Sequence, residues 1–173
     1  MARVKSVGYL GLGSNIGDRR TNLQAAVDLL PNHGVQVLAS SSVYETEPVG
    51  EVLEQRDFFN VCLRVSTELE PEELLDVCKE VEKQLGRSLE TEKHGPRQID
   101  VDLLLLGESS YSSSRLQIPH RDLTNRRFVI LPLLELDAGL TLPDGKPLSE
   151  VLSDEAIEKQ RVDLSGPSLK LNS

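Results

Sequence analysis

Gln98-Ile99-Asp100-Val101-Asp102-Leu103-Leu104-Leu105-Leu106 is the stretch from which the rest of this chain can be read. Successive strand residues point to opposite faces. Ile99, Val101, Leu103 and Leu105 are therefore expected on one face, and Asp100, Asp102, Leu104 and Leu106 on the other. So apolar a run reads as the most buried strand of the fold, yet two acids interrupt it. Residues two apart project the same way, so both carboxylates aim at a shared point, and two such charges are costly without a partner. Hard oxygen ligands of this kind suit Mg²⁺, which keeps several waters and takes one or two carboxylates together with substrate phosphates. The plainer alternative is a pair of solvated or salt-bridged acids at a strand end. Asp is a poor strand former, however, so two of them call for a reason.

Working outward, residues 4–12 read as a strand ending in Gly11-Leu12-Gly13-Ser14-Asn15, followed by Leu23, Ala26, Val27 and Leu30 at helical spacing until Pro31. Residues 35–44 are rich in β-branched and small side chains and read as a strand. The stretch 46–56, with Pro48 and Gly50 among charges, is a long loop and a candidate substrate lid. In the strand 58–67, Phe59, Val61, Leu63 and Val65 form a core face and Phe58, Asn60, Cys62 and Arg64 the opposite one. Pro71, Glu72 and Glu73 open a helix with the apolar stripe Leu74, Leu75, Cys78, Val81 and Leu85, closed by Gly86. Residues 87–97 are polar and irregular. Beyond the strand 98–106 come a Ser-rich turn at 109–114, a short strand near Leu116–Ile118, a polar stretch and the apolar segment Phe128–Leu136. The order strand, helix, strand, strand, helix, strand predicts an α/β (α+β) fold with a ferredoxin-like split βαβ sheet. That sheet is mainly antiparallel, with its helices on one face and appended C-terminal elements. One domain is expected over 1–173, with its core in about 4–145 and a tail of about 148–173 that carries one short helix and little chemistry.

With 173 residues there is room for one real core and not for a second full-sized one. Hydrophobic residues at 38% and charged ones at 27%, in clear periodic segments, indicate a globular chain rather than a disordered one. A net charge of −9 argues against nucleic-acid partners, which need a broad basic face. A small anion would need only a local cluster of cations. Cys62 and Cys78 lack CxxC spacing and histidine neighbours, as expected of reduced thiols in a cytoplasmic protein. No run approaches the ~20 apolar residues of a membrane span, and the N-terminus lacks a hydrophobic secretory stretch.

Candidate cations lie close to the acids, in Lys93-His94-Gly95-Pro96-Arg97, Pro119-His120-Arg121-Asp122 and Asn125-Arg126-Arg127-Phe128. Taken singly, each could be ordinary surface charge; together they could form the positive patch a polyphosphate needs. Gly11-Leu12-Gly13-Ser14-Asn15-Ile16-Gly17 has the wrong spacing for a dinucleotide fingerprint and reads as a tight strand-to-helix turn. No Walker A sequence is present. Phe58 and Asn60 share the strand face opposite the core positions. A ring and an amide there suit a flat heterocycle, or else that face is simply covered by loops.

Lys93 to Leu104 (KHGPRQIDVDLL) resembles the signature of the 6-hydroxymethyl-7,8-dihydropterin pyrophosphokinase family of folate biosynthesis. Gly13-Ser14-Asn15, Tyr44-Glu45-Thr46, Phe59-Asn60, the helix end Glu82 to Arg87, and Pro119-His120 through Asn125-Arg126 to Phe128 match in the same order, over about residues 7–145. The resemblance implies a ferredoxin-like sandwich that moves diphosphate from ATP to the pterin hydroxymethyl group and releases AMP. It implies two Mg²⁺ ions on Asp100 and Asp102, with Arg87 and Arg97 joining them in catalysis. It places Glu82, Arg87, Arg97, His120 and Arg126 on ATP. Phe58 and Phe128 would sandwich the pterin, with Asn60 and groups near Thr46 at its edge, and the loops 46–56 and 87–97 would close over the site. Three positions depart from the family pattern: Leu89 where a second arginine is usual, His94 where an aromatic often stands, and Arg121 where tyrosine often follows the histidine. Arg121 would then supply a replacement phosphate contact.

The expected partners are thus ATP and 6-hydroxymethyl-7,8-dihydropterin, with neither nucleic acid nor membrane, in a monomer. Such a reaction asks for positioning and charge neutralisation rather than a covalent intermediate. Two other readings of the acids remain open on sequence. A nucleotide-sugar transferase would use Asp-Val-Asp as its metal motif, but generally needs a longer chain and gives the Gly-Pro-Arg prefix no role. A ferredoxin-like ligand-sensing module would use the acids structurally, and would bind ligand without releasing AMP.

Overall fold

Residues 3–47, 56–86 and 98–171 are described in a computed structural model. The expectations for Arg87, Leu89, His94 and Arg97, and for most of both loops, fall outside them. In chain order the elements are β1 (Ser6–Ser14), α1 (Arg19–Leu29), β2 (Val35–Ser40), β3 (Val43–Thr46), β4 (Phe58–Thr67), α2 (Pro71–Gln84), β5 (Asp100–Leu106), β6 (Tyr111–Ser112), β7 (Gln117–Ile118), α3 (Arg127–Leu136), α4 (Glu155–Glu158) and β8 (Val162–Gly166). The main sheet runs β5-β1-β4-β3-β8 with β2 also on β4, and every pairing in it is antiparallel. Setting aside the terminal β8, this is the strand order of a split βαβ sheet.

Local chemistry explains the helix ends. The Asp18 carboxylate accepts from Thr21 N at 3.0 Å to start α1. Glu70 and Glu73 form a capping box on α2, with Pro71 in its first turn, where a missing N–H costs nothing. Both helices cover one face of the sheet, where Leu23, Ala26, Leu74, Cys78 and Val81 meet Leu10, Leu12, Leu63, Val65, Val101 and Leu103.

The two helices of the split βαβ unit share one face as expected, and α3, which the sequence marked only as an apolar segment, lies on the other. Its Val129, Ile130 and Leu133 pack on Tyr9, Cys62, Leu104 and Leu105, and Leu148 and Val151 of a following 3₁₀ turn close that second core. The cause is legible in composition. The segment 128–136 is nearly all apolar, and β4 and β5 present apolar side chains on both faces. The sheet is therefore filled from both sides.

Three local departures from simple alternation matter. Across β1 and β5, Tyr9 pairs Leu105 while Leu10 pairs Leu103, so one extra residue bulges out at Leu104, whose carbonyl accepts from His120 N at 2.9 Å. Beyond that bulge the faces exchange, and Leu105 joins the α3 core while Leu106 turns to the α1/α2 core. The single strand expected over 35–44 is two. Ser40 pairs Leu63 and Tyr44 pairs Asn60, so four steps along one strand oppose three along the other. Ser41 absorbs the difference: its N–H donates to Cys62 O at 2.9 Å, and its hydroxyl accepts from Cys62 N at 3.0 Å in place of a strand carbonyl. Finally, the tail is more than a short helix, because β8 pairs with β3 and extends the sheet.

Leu133 is fully buried against the second core. Leu133→Ala should cost about 2–5 kcal/mol in urea unfolding, as expected for a leucine deleted from a packed layer. A loss below about 0.5 kcal/mol would mean that α3 is not part of the folded core.

Candidate active site

Register assembles a cleft between the sheet and the start of α3. Gly13 of β1 lies between Asn60 of β4 and Asp100 of β5, and Gly11 lies between Cys62 and Asp102. Each row thus carries a glycine at its centre, flanked by functional side chains. A Cβ at Gly13 would sit 3.2 Å from Asn60 Oδ1 and 3.4 Å from the Phe58 ring, so the absent side chain is what keeps the floor open. Gly11 and Gly13 are strand residues rather than turn residues. Of the Gly11–Gly17 segment it is Gly17, with φ +65°, that makes the turn.

Thr46, Glu47 and Phe58 form one side of the cleft and Arg126, Phe128 and Val129 another, around about 580 Å³ of space that opens to solvent. Asn60 Nδ2 donates to Thr46 Oγ1 at 2.6 Å, and both residues are buried. The Arg126 guanidinium lies 5.7 Å from the Phe128 ring centroid and pairs with Asp122 at 3.2 Å. Beneath them the Cys62 thiol reaches toward Val129 O. Burial, and secondarily the charge of Asp102, push its pKa up, so the floor there stays neutral.

A second, more polar hollow of about 870 Å³ lies beside the first. Leu75, Lys79, Arg115, Leu116, His120 and Arg121 are among the residues around it, and Asp102 belongs to both hollows. His120 Nδ1 accepts from Asp122 N at 3.1 Å, so a neutral ring carries its proton on Nε2. Arg115 is held by Glu72 at 3.2 Å and Asp76 at 2.5 Å. Lys79 and Arg115 escaped the sequence reading, one on the exposed side of a helix and one at the end of a Ser-rich turn. Their only signal is position: Lys79 stands one turn before Glu82, and Arg115 four residues before Pro119-His120.

The structure therefore brings Thr46, Phe58, Asn60, Asp100, Asp102, Arg126 and Phe128 together around one cleft, and His120 and Arg121 around the neighbouring hollow. Glu82 is set apart. At 2% exposure it accepts from Val101 N at 2.8 Å and lies 3.6 Å from Lys79, tying α2 to the strand between the two acids. Among the described residues no three His, Cys, Asp or Glu side chains cluster as a ready-made metal cage. Two half-buried carboxylates on one strand face, with room beside them, are the donor set expected where substrate oxygens complete the coordination of a hard cation.

The family described as 7,8-dihydro-6-hydroxymethylpterin-pyrophosphokinase (HPPK) matches residues 9–138. A 2-amino-4-hydroxy-6-hydroxymethyldihydropteridine pyrophosphokinase of Bacillus subtilis is 42% identical over 77% of this chain and 79% of its own length. One of the same name from Methylorubrum extorquens is 42% identical over 84% of this chain and 90% of its own. A folate synthesis bifunctional protein of Arabidopsis thaliana is also 42% identical, over 73% of this chain but 26% of its own length, so the chain spans about a quarter of that relative. A crystal structure of a Plasmodium falciparum HPPK-DHPS variant with pterin and p-hydroxybenzoate shares the fold. It has a TM-score of 0.71 and 15% identity over 90% of this chain and 46% of that one.

Proposed function

The chain belongs to the 7,8-dihydro-6-hydroxymethylpterin-pyrophosphokinase family, and on that premise we propose that it moves the terminal diphosphate of ATP onto the hydroxymethyl oxygen of 6-hydroxymethyl-7,8-dihydropterin. As a member it is a pyrophosphokinase of folate biosynthesis. The observation that carries the finer reading is the position of Asp102, which borders both the ring-lined cleft and the cation-lined hollow. An acid shared by two adjacent cavities is where a phosphate chain held in one would meet an alcohol held in the other.

In this reading Phe58 and Phe128 stack on the two faces of the pterin, and Asn60 and Thr46 hydrogen-bond its edge. Lys79, Arg115, His120 and Arg121 hold the nucleotide and its phosphates, and Arg126 reaches the phosphates from the pterin side. Arg87 and Arg97, outside the described residues, would complete the cationic cover. Asp100 and Asp102 would hold two Mg²⁺ ions, whose chemistry when bound is to neutralise phosphate charge and steady the attacking and leaving oxygens. Glu82 acts through β5, holding Val101 so that both acids keep their aim. The pterin oxygen then attacks the β-phosphorus in line, the bond between the α- and β-phosphates breaks, and AMP leaves. No side chain is modified. One catalytic domain, acting as a cytoplasmic monomer, is sufficient for this chemistry. No helix among the described residues is long and apolar enough to cross a membrane.

With Mg²⁺, ATP and the pterin alcohol, the nucleotide product should be AMP; ADP as the main product would contradict diphosphoryl transfer. Phe128→Ala should weaken pterin binding by about 1–3 kcal/mol in calorimetry while barely changing ATP affinity, because a stacked ring contributes contact to the heterocycle alone. Equal losses for both ligands would make Phe128 a packing residue instead.

A further inference from the structure

Two consecutive residues of the C-terminal tail, Gln160 and Arg161, hold two different segments that contribute residues to the cleft. Gln160 Oε1 accepts from Arg127 N at 2.8 Å, and its carbonyl accepts from Arg127 Nη1 at 2.9 Å. Its amide nitrogen donates to Asn125 O at 2.8 Å. The first N–H groups of a helix have no partner within it, and the N-cap residue Arg126 supplies no side-chain cap. Gln160 does that work from outside and so pins both ends of the Arg126 step, next to Phe128.

Arg161 reaches the strand ends that carry Glu47 and Phe58. The β3–β8 register pairs Thr46 with Val162, and the β3–β4 register pairs Thr46 with Phe58. One step further along, Arg161, Glu47 and Asp57 follow as a row at the ends of the three strands. Without a cation that row would set two carboxylates on neighbouring strands against each other. Arg161 Nη2 lies 2.5 Å from Asp57 Oδ2, its Nη1 lies 3.6 Å from Glu47 Oε1, and its Nε lies 3.4 Å from Asp163 Oδ2. Glu47 lines the cleft, and Asp57 directly precedes Phe58. Arg19, 2.7 Å from Glu45 and 2.8 Å from Asp57 O, ties the same two strand ends from the side of α1.

We propose that Gln160 and Arg161 are positioning residues that together set the spacing between the Phe58 and Phe128 sides of the cleft. The tail then serves the heterocycle subsite without touching the substrate. This rests on the pterin reading of that cleft. Neither residue lines the nucleotide hollow, and Gln160 holds only the backbone on either side of Arg126, so the effect should fall mainly on the pterin and reach ATP only weakly, through Arg126.

Gln160→Ala and Arg161→Gln, alone and combined, test this in steady-state assays with both substrates varied and in thermal melts. Each single variant should raise the pterin KM by about 3- to 10-fold, with kcat and the KM for ATP within about twofold of wild type. Arg161→Lys should recover part of the loss, because it keeps the charge but cannot bridge three carboxylates. An unchanged pterin KM in the double variant would overturn the proposal. So would losses that fall equally on both substrates and track the melting temperature, which would make the contacts merely stabilising. A wild-type protein that neither binds nor consumes the pterin would instead sink the reading of the cleft, and this proposal with it.

Discussion

The register of β1 between β4 and β5 is the constraint on which the site depends. A strand has a period of two, so a slip of β1 by one residue would turn Leu10 and Leu12 onto the cleft face, over Asn60 and the two acids, and Gly11 and Gly13 into the α1/α2 core. The apolar residues on the helix-covered face forbid that slip, and the packing of one face thereby aims the chemistry of the other. Small residues at Gly11 and Gly13 then turn what would have been a filled sheet surface into a floor.

Electrostatics works within that frame. The chain is strongly acidic, yet Lys79, Arg115, His120 and Arg121 gather around a single hollow beside the acid pair. Arg115, for one, is held in place by anions that do not line the hollow, Glu72 and Asp76. The protein's excess negative charge thus helps to orient its positive groups, and the local field differs from the net charge. The same pattern recurs at the other end of the cleft, where Arg19 and Arg161 hold together strand ends that carry Glu45, Glu47 and Asp57.

Much of this was legible in the sequence because it depends on local periodicity. Alternation in β4 separated Phe58 and Asn60 from Phe59 and Val61, and alternation in β5 placed both acids on one face. Alternation failed where a hydrogen bond from elsewhere intervenes. The bulge at Leu104, with its carbonyl bonded to His120 N, exchanges Leu105 and Leu106, and Ser41 breaks the strand expected over 35–44. The opposite-face placement of α3 and the pairing of β8 with β3 are long-range choices. An apolar segment or a short β-branched run does not reveal its partner. Lys79 and Arg115 went unnoticed for a related reason, since isolated cations carry no pattern until the fold brings them together.

In the proposed reaction Asp100 and Asp102, which project from one face of β5, receive Mg²⁺ and a phosphate chain together. Thermal melts of wild type, Asp100→Ala and Asp102→Ala, with and without Mg²⁺ and a non-hydrolysable ATP analogue, test it most directly. Two like charges on one strand face repel until a cation arrives, so Asp102→Ala should be at least as stable as wild type in metal-free buffer. Both Asp100→Ala and Asp102→Ala should lose most of the stabilisation that Mg²⁺ and the analogue confer jointly on wild type. A variant that retained the full ligand-induced shift, or an Asp102→Ala protein that melted well below wild type without metal, would contradict a metal role for that aspartate.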